Sequence, residues 1–158
     1  GLSQSLGIPF GEAKEMIERY FEAYPGVRAY LDRTIAEAKE KGYAETMFAR
    51  RRYLPELTAS NANTRAFGER VARNMPIQGT AADIIKIAMI RVYERLEREN
   101  LAAKLIMQVH DELIVEAPEN EKERVSALLK EEMENAVKLS VVLTADVHSG
   151  RTWYDAKG

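Results

Sequence analysis

His110-Asp111-Glu112 sets two adjacent carboxylates between the apolar, β-branched runs Leu105–Val109 and Leu113–Val115. Neighbouring acids at a tight bend repel one another and lose hydration, so an uncompensated pair is costly. A hard divalent cation such as Mg²⁺ relieves that conflict, because it takes carboxylate oxygens and keeps waters or substrate phosphates as its remaining ligands. The simpler reading is a solvated Asp-Glu turn, which spacing alone favours. Gln108 and His110 stand at period-two spacing and would share one face of a strand. No carboxylate in the pattern is placed to orient His110 as a general base.

Arginine supplies the second constellation. Between residues 45 and 75, Arg50, Arg51, Arg52, Arg65, Arg70 and Arg73 face only Glu45, Glu56 and Glu69, a local charge of +3 in a chain whose net charge is −2. The planar guanidinium fork matches phosphate oxygens. Asn74 and Gln78 follow, with amides that both donate and accept and so suit base edges in a groove. The competing reading is a solvated helix face with pairs such as Glu69–Arg73 at i,i+4, worth about 0.3–0.5 kcal/mol. Composition leaves the two even.

These groups need elements to hold them. Three helical segments open the chain: 3–6, ended by Gly7-Ile8-Pro9; 11–24, with Ala13, Met16, Ile17, Tyr20, Phe21 and Tyr24 on one face; and 25–42, with Pro25 in its first turn and Gly42 as its stop. The aromatic faces read as core. Two short strands are expected around Ala49–Arg51, and a helix resumes near Thr64. Pro76-Ile77-Gln78-Gly79 is expected to interrupt that helix, with Thr80 as N-cap of the next. Ile85, Ala88, Met89, Val92 and Leu96 line that long helix, ended by Asn100. The acidic bend then reads as the tip of an antiparallel hairpin with buried strands. A helix over about 119–137 and a final strand over 141–147 complete the pattern. Helices packed on an antiparallel sheet make an α+β class.

The 158 residues, 46% hydrophobic, suffice for a compact core. Twenty-three basic against 25 acidic side chains exclude a uniformly basic nucleic-acid binder but not a local basic face. Zero cysteines exclude disulfides, thiolate metal sites and a cysteine nucleophile. No apolar run approaches the ~20 residues of a membrane span, and no signal-peptide pattern is present. The chain opens at Gly1 inside a helical pattern without an initiator Met, which leads to the expectation of a fragment.

Gln108-Val-His-Asp-Glu-Leu113 resembles motif C of the family A DNA polymerases, the bacterial DNA polymerase I type. Asn74-Met-Pro-Ile-Gln-Gly-Thr-Ala-Ala-Asp83 is similar to the family's segment leading into the long palm helix. Arg50-Arg-Arg-Tyr-Leu-Pro55, Glu18-Arg-Tyr-Phe21 with Tyr24-Pro25, and Gly150…Trp153…Ala156 also match in the family's order. The resemblance spans essentially the whole chain. It implies an antiparallel palm sheet packed with helices (residues 43–158), preceded by distal fingers helices (residues 1–42), in one C-terminal fragment of a polymerase domain.

It also implies roles. Asp111 would be a ligand of catalytic Mg²⁺, with Glu112 as a secondary acidic contributor. Two metals would activate a primer 3′-hydroxyl and stabilise the leaving pyrophosphate. His110 and Gln108 would lie against the primer terminus, and Gln78 and Asn74 on the minor-groove side of the templating pair, testing pair shape rather than sequence. Arg50, Arg51, Arg52, Arg70 and Arg73 would contact the DNA backbone. The implied partners are primer–template DNA, deoxynucleoside triphosphates and the rest of a parent chain, in a bacterial cytoplasm at the nucleoid, with no membrane.

Two departures matter. The family's motif A aspartate and its nucleotide-binding fingers helix match nothing here, so the two-metal site is incomplete and these residues alone are expected not to polymerise DNA. Ala49 stands where the family commonly has Gly. A non-catalytic DNA-binding module derived from a polymerase is the alternative, and a helical interaction domain with an incidental acidic hairpin is a third reading.

Overall fold

The computed structural model describes residues 1–157. The chain forms two compact units, Gly1–Pro76 and Ile77–Gly158. Both are mixed helix and antiparallel strand, the expected α+β class. Among the described residues the strands form two two-stranded sheets rather than one.

In the first unit, α1 (Leu2–Leu6) ends at Gly7, α2 spans Phe10–Ala23, and α3 spans Pro25–Lys41. Pro25 occupies the first helical position of α3, where its missing N–H costs nothing. Gly42 stops α3 with φ 76°, a left-handed conformation that glycine adopts without a Cβ clash. Strands β1 (Tyr43–Glu45) and β2 (Arg51–Tyr53) then pair antiparallel, Tyr43 opposite Tyr53 and Glu45 opposite Arg51. Buried Thr46 ties their loop, its hydroxyl accepting from the backbone N–H of Phe48 and of Arg50 at 3.2 Å each. Ala49 sits in that loop at φ 62°, so the position where the resembling family carries Gly is one that glycine suits best.

A 3₁₀ turn, Pro55–Thr58, leads to α4 (Ala62–Asn74). Asn61 caps α4, its side-chain oxygen accepting from the N–H of Asn63 and Thr64. Ala38, Ala44, Leu54, Leu57 and Ala72 form the unit's core. The aromatic face of α2 is not part of it. Met16, Ile17, Tyr20 and Tyr24 are all exposed, which overturns their reading as core. Helical periodicity shows that a face is apolar but not that anything covers it, and α2 packs here on α1 and α3.

Pro76 does not interrupt the helical backbone. Residues Met75–Gly79 form a π turn that runs directly into α5 (Thr80–Arg98), so Thr80 is not an N-cap. A wider turn accommodates a residue without an N–H for the i−4 carbonyl. Asn100 ends the helical stretch at φ 52°. Strands β3 (Lys104–Val109) and β4 (Glu112–Glu116) form the second hairpin, followed by a 3₁₀ turn at Glu119–Glu121 and α6 (Lys122–Glu134). Val92, Leu96, Ala103, Val125, Leu128 and Leu129 make the second core, with Leu105, Leu113 and Val115 packed against it.

The expected strand over 141–147 is absent; this stretch has no regular structure. Val141 and Val142 are exposed, while the buried Ala145 donates its N–H to Glu134 Oε1 at 3.1 Å. An apolar, β-branched run needs a neighbouring strand edge to become a strand, and none among the described residues pairs here. A helical turn, α7 (Trp153–Ala156), closes the described chain.

Charged clamps join the helices. Arg95 of α5 meets Glu99 at 2.9 Å, Glu132 at 2.7 Å and Glu131 at 2.8 Å. Arg124 holds Glu99 at 2.5 Å, and Arg124 first and Arg95 second keep the Glu99 carboxyl down at about 2. Glu69 pairs with Lys39 of α3 at 2.6 Å rather than with Arg73, and that lysine lowers its pKa.

Candidate metal and nucleic-acid site

The β3–β4 hairpin gathers four of the sequence-predicted residues. Its register is Val109 opposite Glu112 and Gln108 opposite Leu113, so His110 and Asp111 are the two-residue turn. Asp111 is therefore the tip, and Glu112 is the first residue of β4. All four of Gln108, His110, Asp111 and Glu112 are exposed. The flanking strands are less buried than expected, since Ile106 is 55% and Met107 42% exposed. The register shifts between Leu105 and Met107, so Ile106 lies in a bulge that breaks strict alternation.

His110 carries the turn at φ 52°, the left-handed region. Two-residue hairpin turns want a positive φ at the first central residue, which is why glycine is common there. A histidine in that conformation costs roughly 1–2 kcal/mol. Gln108 offsets part of it by donating from Nε2 to the His110 carbonyl at 2.8 Å, a fixed bridge across the bend. The period-two relation of Gln108 and His110 thus ends at the turn, and a hydrogen bond to the backbone takes its place. His110→Gly is expected to leave the unit as stable or up to about 1 kcal/mol more stable, because relief of the strain competes with chain entropy. Urea unfolding measures that. A clear loss of stability would show that His110 is a packing residue.

The Asp111 carboxylate has no hydrogen-bond or ion-pair partner among the described residues. Glu112 has one: its Oε2 accepts from Trp153 Nε1 at 3.3 Å. No spacing in the sequence pointed to that contact, which joins residues 41 apart. The two acids fit one side of a Mg²⁺ site, since that ion is held by one or two carboxylates together with waters and substrate phosphates. No cluster of three or more His, Asp or Glu that could hold a metal occurs among the described residues. Asp111 and Glu112 are thus a partial ligand set.

Gln78 lies in the π turn, exposed. The remaining residues belong to the first unit. Asn74 is the exposed last residue of α4, with Arg73 half-buried beside it and Arg70 exposed over the Phe67 ring at 5.8 Å. Arg50, Arg51 and Arg52 are exposed at the start of β2. Arg51 is engaged by Glu45 at 3.3 Å and by the Tyr43 ring at 4.6 Å, and these contacts raise its pKa. No helix among the described residues is long and apolar enough to cross a membrane.

The chain is similar to known proteins over nearly its whole length. The sequence profile described as DNA polymerase family A matches residues 1–155. DNA polymerase I of Bacillus caldotenax is 57% identical over 99% of this chain and 18% of its own length. The thermostable DNA polymerase I of Thermus filiformis is 51% identical over the same shares. Among solved structures, the POL domain of Pol1 from M. smegmatis, in complex with DNA primer-template and dNTP, superposes with a TM-score of 0.96 at 46% identity, over all of this chain and 28% of that one. The chain therefore spans about a fifth of the length of the curated relatives it matches. With a profile match along nearly its whole length and relatives above half identity, the chain belongs to DNA polymerase family A.

Proposed function

We propose that these residues are part of a DNA-directed DNA polymerase, a nucleotidyltransferase that extends a primer 3′ end from deoxynucleoside triphosphates. The observation that carries this reading is the hairpin tip. A partnerless Asp111 carboxylate stands beside a Glu112 whose position is fixed, on a turn strained in the way functional sites are. In this reading residues 1–42 are the distal fingers helices and residues 43–158 the palm portion, with β3–β4 in the palm sheet.

Asp111 and Glu112 would hold Mg²⁺. When bound, the metal pair supplies the activated primer 3′-hydroxyl and the stabilised pyrophosphate leaving group. The protein's own part is placement. Gln108 fixes the bend that aims Asp111. His110 lies at the same turn, within reach of a primer terminus. Gln78 and Asn74 present exposed amides to the minor-groove side of the templating pair. Arg50, Arg52, Arg70 and Arg73 give the phosphate contacts, with Arg51 pre-organised by Glu45 and Tyr43. DNA, deoxynucleotides and the remaining part of a longer polymerase are the partners, in a bacterial cytoplasm at the nucleoid.

The test is primer extension. A polymerase carrying this chain extends a primer on a template, whereas the purified 158 residues, given primer–template, four triphosphates and Mg²⁺, yield no product. Extension by the 158 residues alone would overturn the incomplete-site part of the reading.

A further inference from the structure

We propose that Trp153 is a positioning residue for Glu112, and that the turn Gly150–Lys157 exists to place its indole N–H. The inference rests on the polymerase reading of the acidic bend. Trp153 Nε1 donates to Glu112 Oε2 at 3.3 Å, and Glu112 Oε1 has no hydrogen-bond partner among the described residues. The contact therefore anchors one oxygen and leaves the other for a cation.

The donor's chemistry suits this task. Indole N–H is a donor only and carries no charge. Two adjacent carboxylates repel, and a neutral donor fixes one of them without cancelling either charge. A lysine or arginine in the same place would compete with the metal. At 3.3 Å the bond is longer than the 2.7–2.9 Å of a strong charge-assisted pair, so it orients Glu112 without quenching it.

The turn around Trp153 is built for a fixed indole. Thr152 and Asp155 form a reciprocal cap: the Thr152 hydroxyl accepts from the Asp155 N–H, and Asp155 Oδ2 accepts from the Thr152 N–H and hydroxyl. Lys157 Nζ lies 4.9 Å from the indole centroid, over its face. Gly150 packs against the same turn so closely that an added Cβ would stand 2.7 Å from Ala156 N and 2.8 Å from the Asp155 carbonyl carbon. Only glycine lets the chain fold back this tightly. These are the residues of the Gly150…Trp153…Ala156 pattern, to which the chemistry of the bend itself gives no role.

The experiment measures manganese binding by electron paramagnetic resonance, on the full polymerase with a dideoxy-terminated primer–template and the next nucleotide, so that no turnover occurs. Trp153→Phe keeps an aromatic ring and removes the donor; it is expected to weaken Mn²⁺ affinity about tenfold, in the range of lost outer-shell contacts. Gly150→Ala, which pushes the turn off its seat while keeping the indole, is expected to act in the same direction. In a Glu112→Ala background, Trp153→Phe is expected to add nothing. Unchanged Mn²⁺ affinity in both single variants, or an undiminished loss in the Glu112→Ala background, would overturn the proposal. If Mn²⁺ affinity is insensitive to Asp111→Asn as well, the polymerase reading of the bend fails; if only the Trp153 and Gly150 variants are silent, that reading stands and the positioning role alone is lost.

Discussion

Asp111→Asn in the full polymerase is expected to lower single-turnover nucleotide incorporation by about three orders of magnitude, some 4 kcal/mol of transition-state stabilisation. The side chain keeps its shape and remains exposed at the tip of the β3–β4 hairpin, so the fold has little reason to change. Its charge is what disappears. No cation of the protein pairs with Asp111 among the described residues, so its negative charge serves no internal ion pair. An amide is a weak ligand for a hard cation, and the neighbouring Glu112 would be left as the sole carboxylate of the bend. DNA affinity should move the other way or stay within about threefold, because a group that repels phosphate has been neutralised. Fluorescence anisotropy of labelled primer–template measures the second quantity, quench-flow the first. Incorporation that survives the substitution would remove the metal role from the bend.

The largest structural effect is expected at Leu128. It is fully buried on α6, in the cluster with Val92, Leu96, Val125 and Leu129, against which Leu105, Leu113 and Val115 of the hairpin pack. Leu128→Ala removes three carbons from a site walled by two helices and two strands, which cannot collapse around the void. The expected cost is about 3 kcal/mol, visible as a lower urea midpoint with an unchanged slope. Val142→Ala is the comparison: Val142 is 88% exposed, and the change should fall within about 0.5 kcal/mol. Equal effects at the two positions would contradict this packing. Because the hairpin that carries Asp111 rests on the Leu128 cluster, Leu128→Ala should also slow incorporation at temperatures where the variant is still folded.

The helices were legible wherever local chemistry sets them. Pro25 at the start of α3, Gly42 past its end and Asn100 after α5 are stop and start signals whose conformations follow from one residue's φ preference. The hairpin was legible for the same reason, two β-branched runs around a polar pair. The arginine excess was visible as charge, but the partition among its members was not. Arg51 is engaged by Glu45 and Tyr43 across a strand pair, a matter of register.

Other features depended on what lies next to each segment in space. The α2 face of Met16, Ile17, Tyr20 and Tyr24 has the period of a buried helix and is exposed, because period records polarity and burial requires a partner. Residues 141–147 are rich in strand formers, yet no strand edge among the described residues pairs with them. Pro76 looked like a break, and a π turn absorbed it. The identities of Asp111 and Glu112, and hence the class of ion that suits them, were written in the order of amino acids, because ligand preference belongs to the side chain. Which oxygen of Glu112 is held, and by a tryptophan 41 residues away, came from the folded chain alone, since a hydrogen bond depends on where two atoms meet and not on their separation along the backbone.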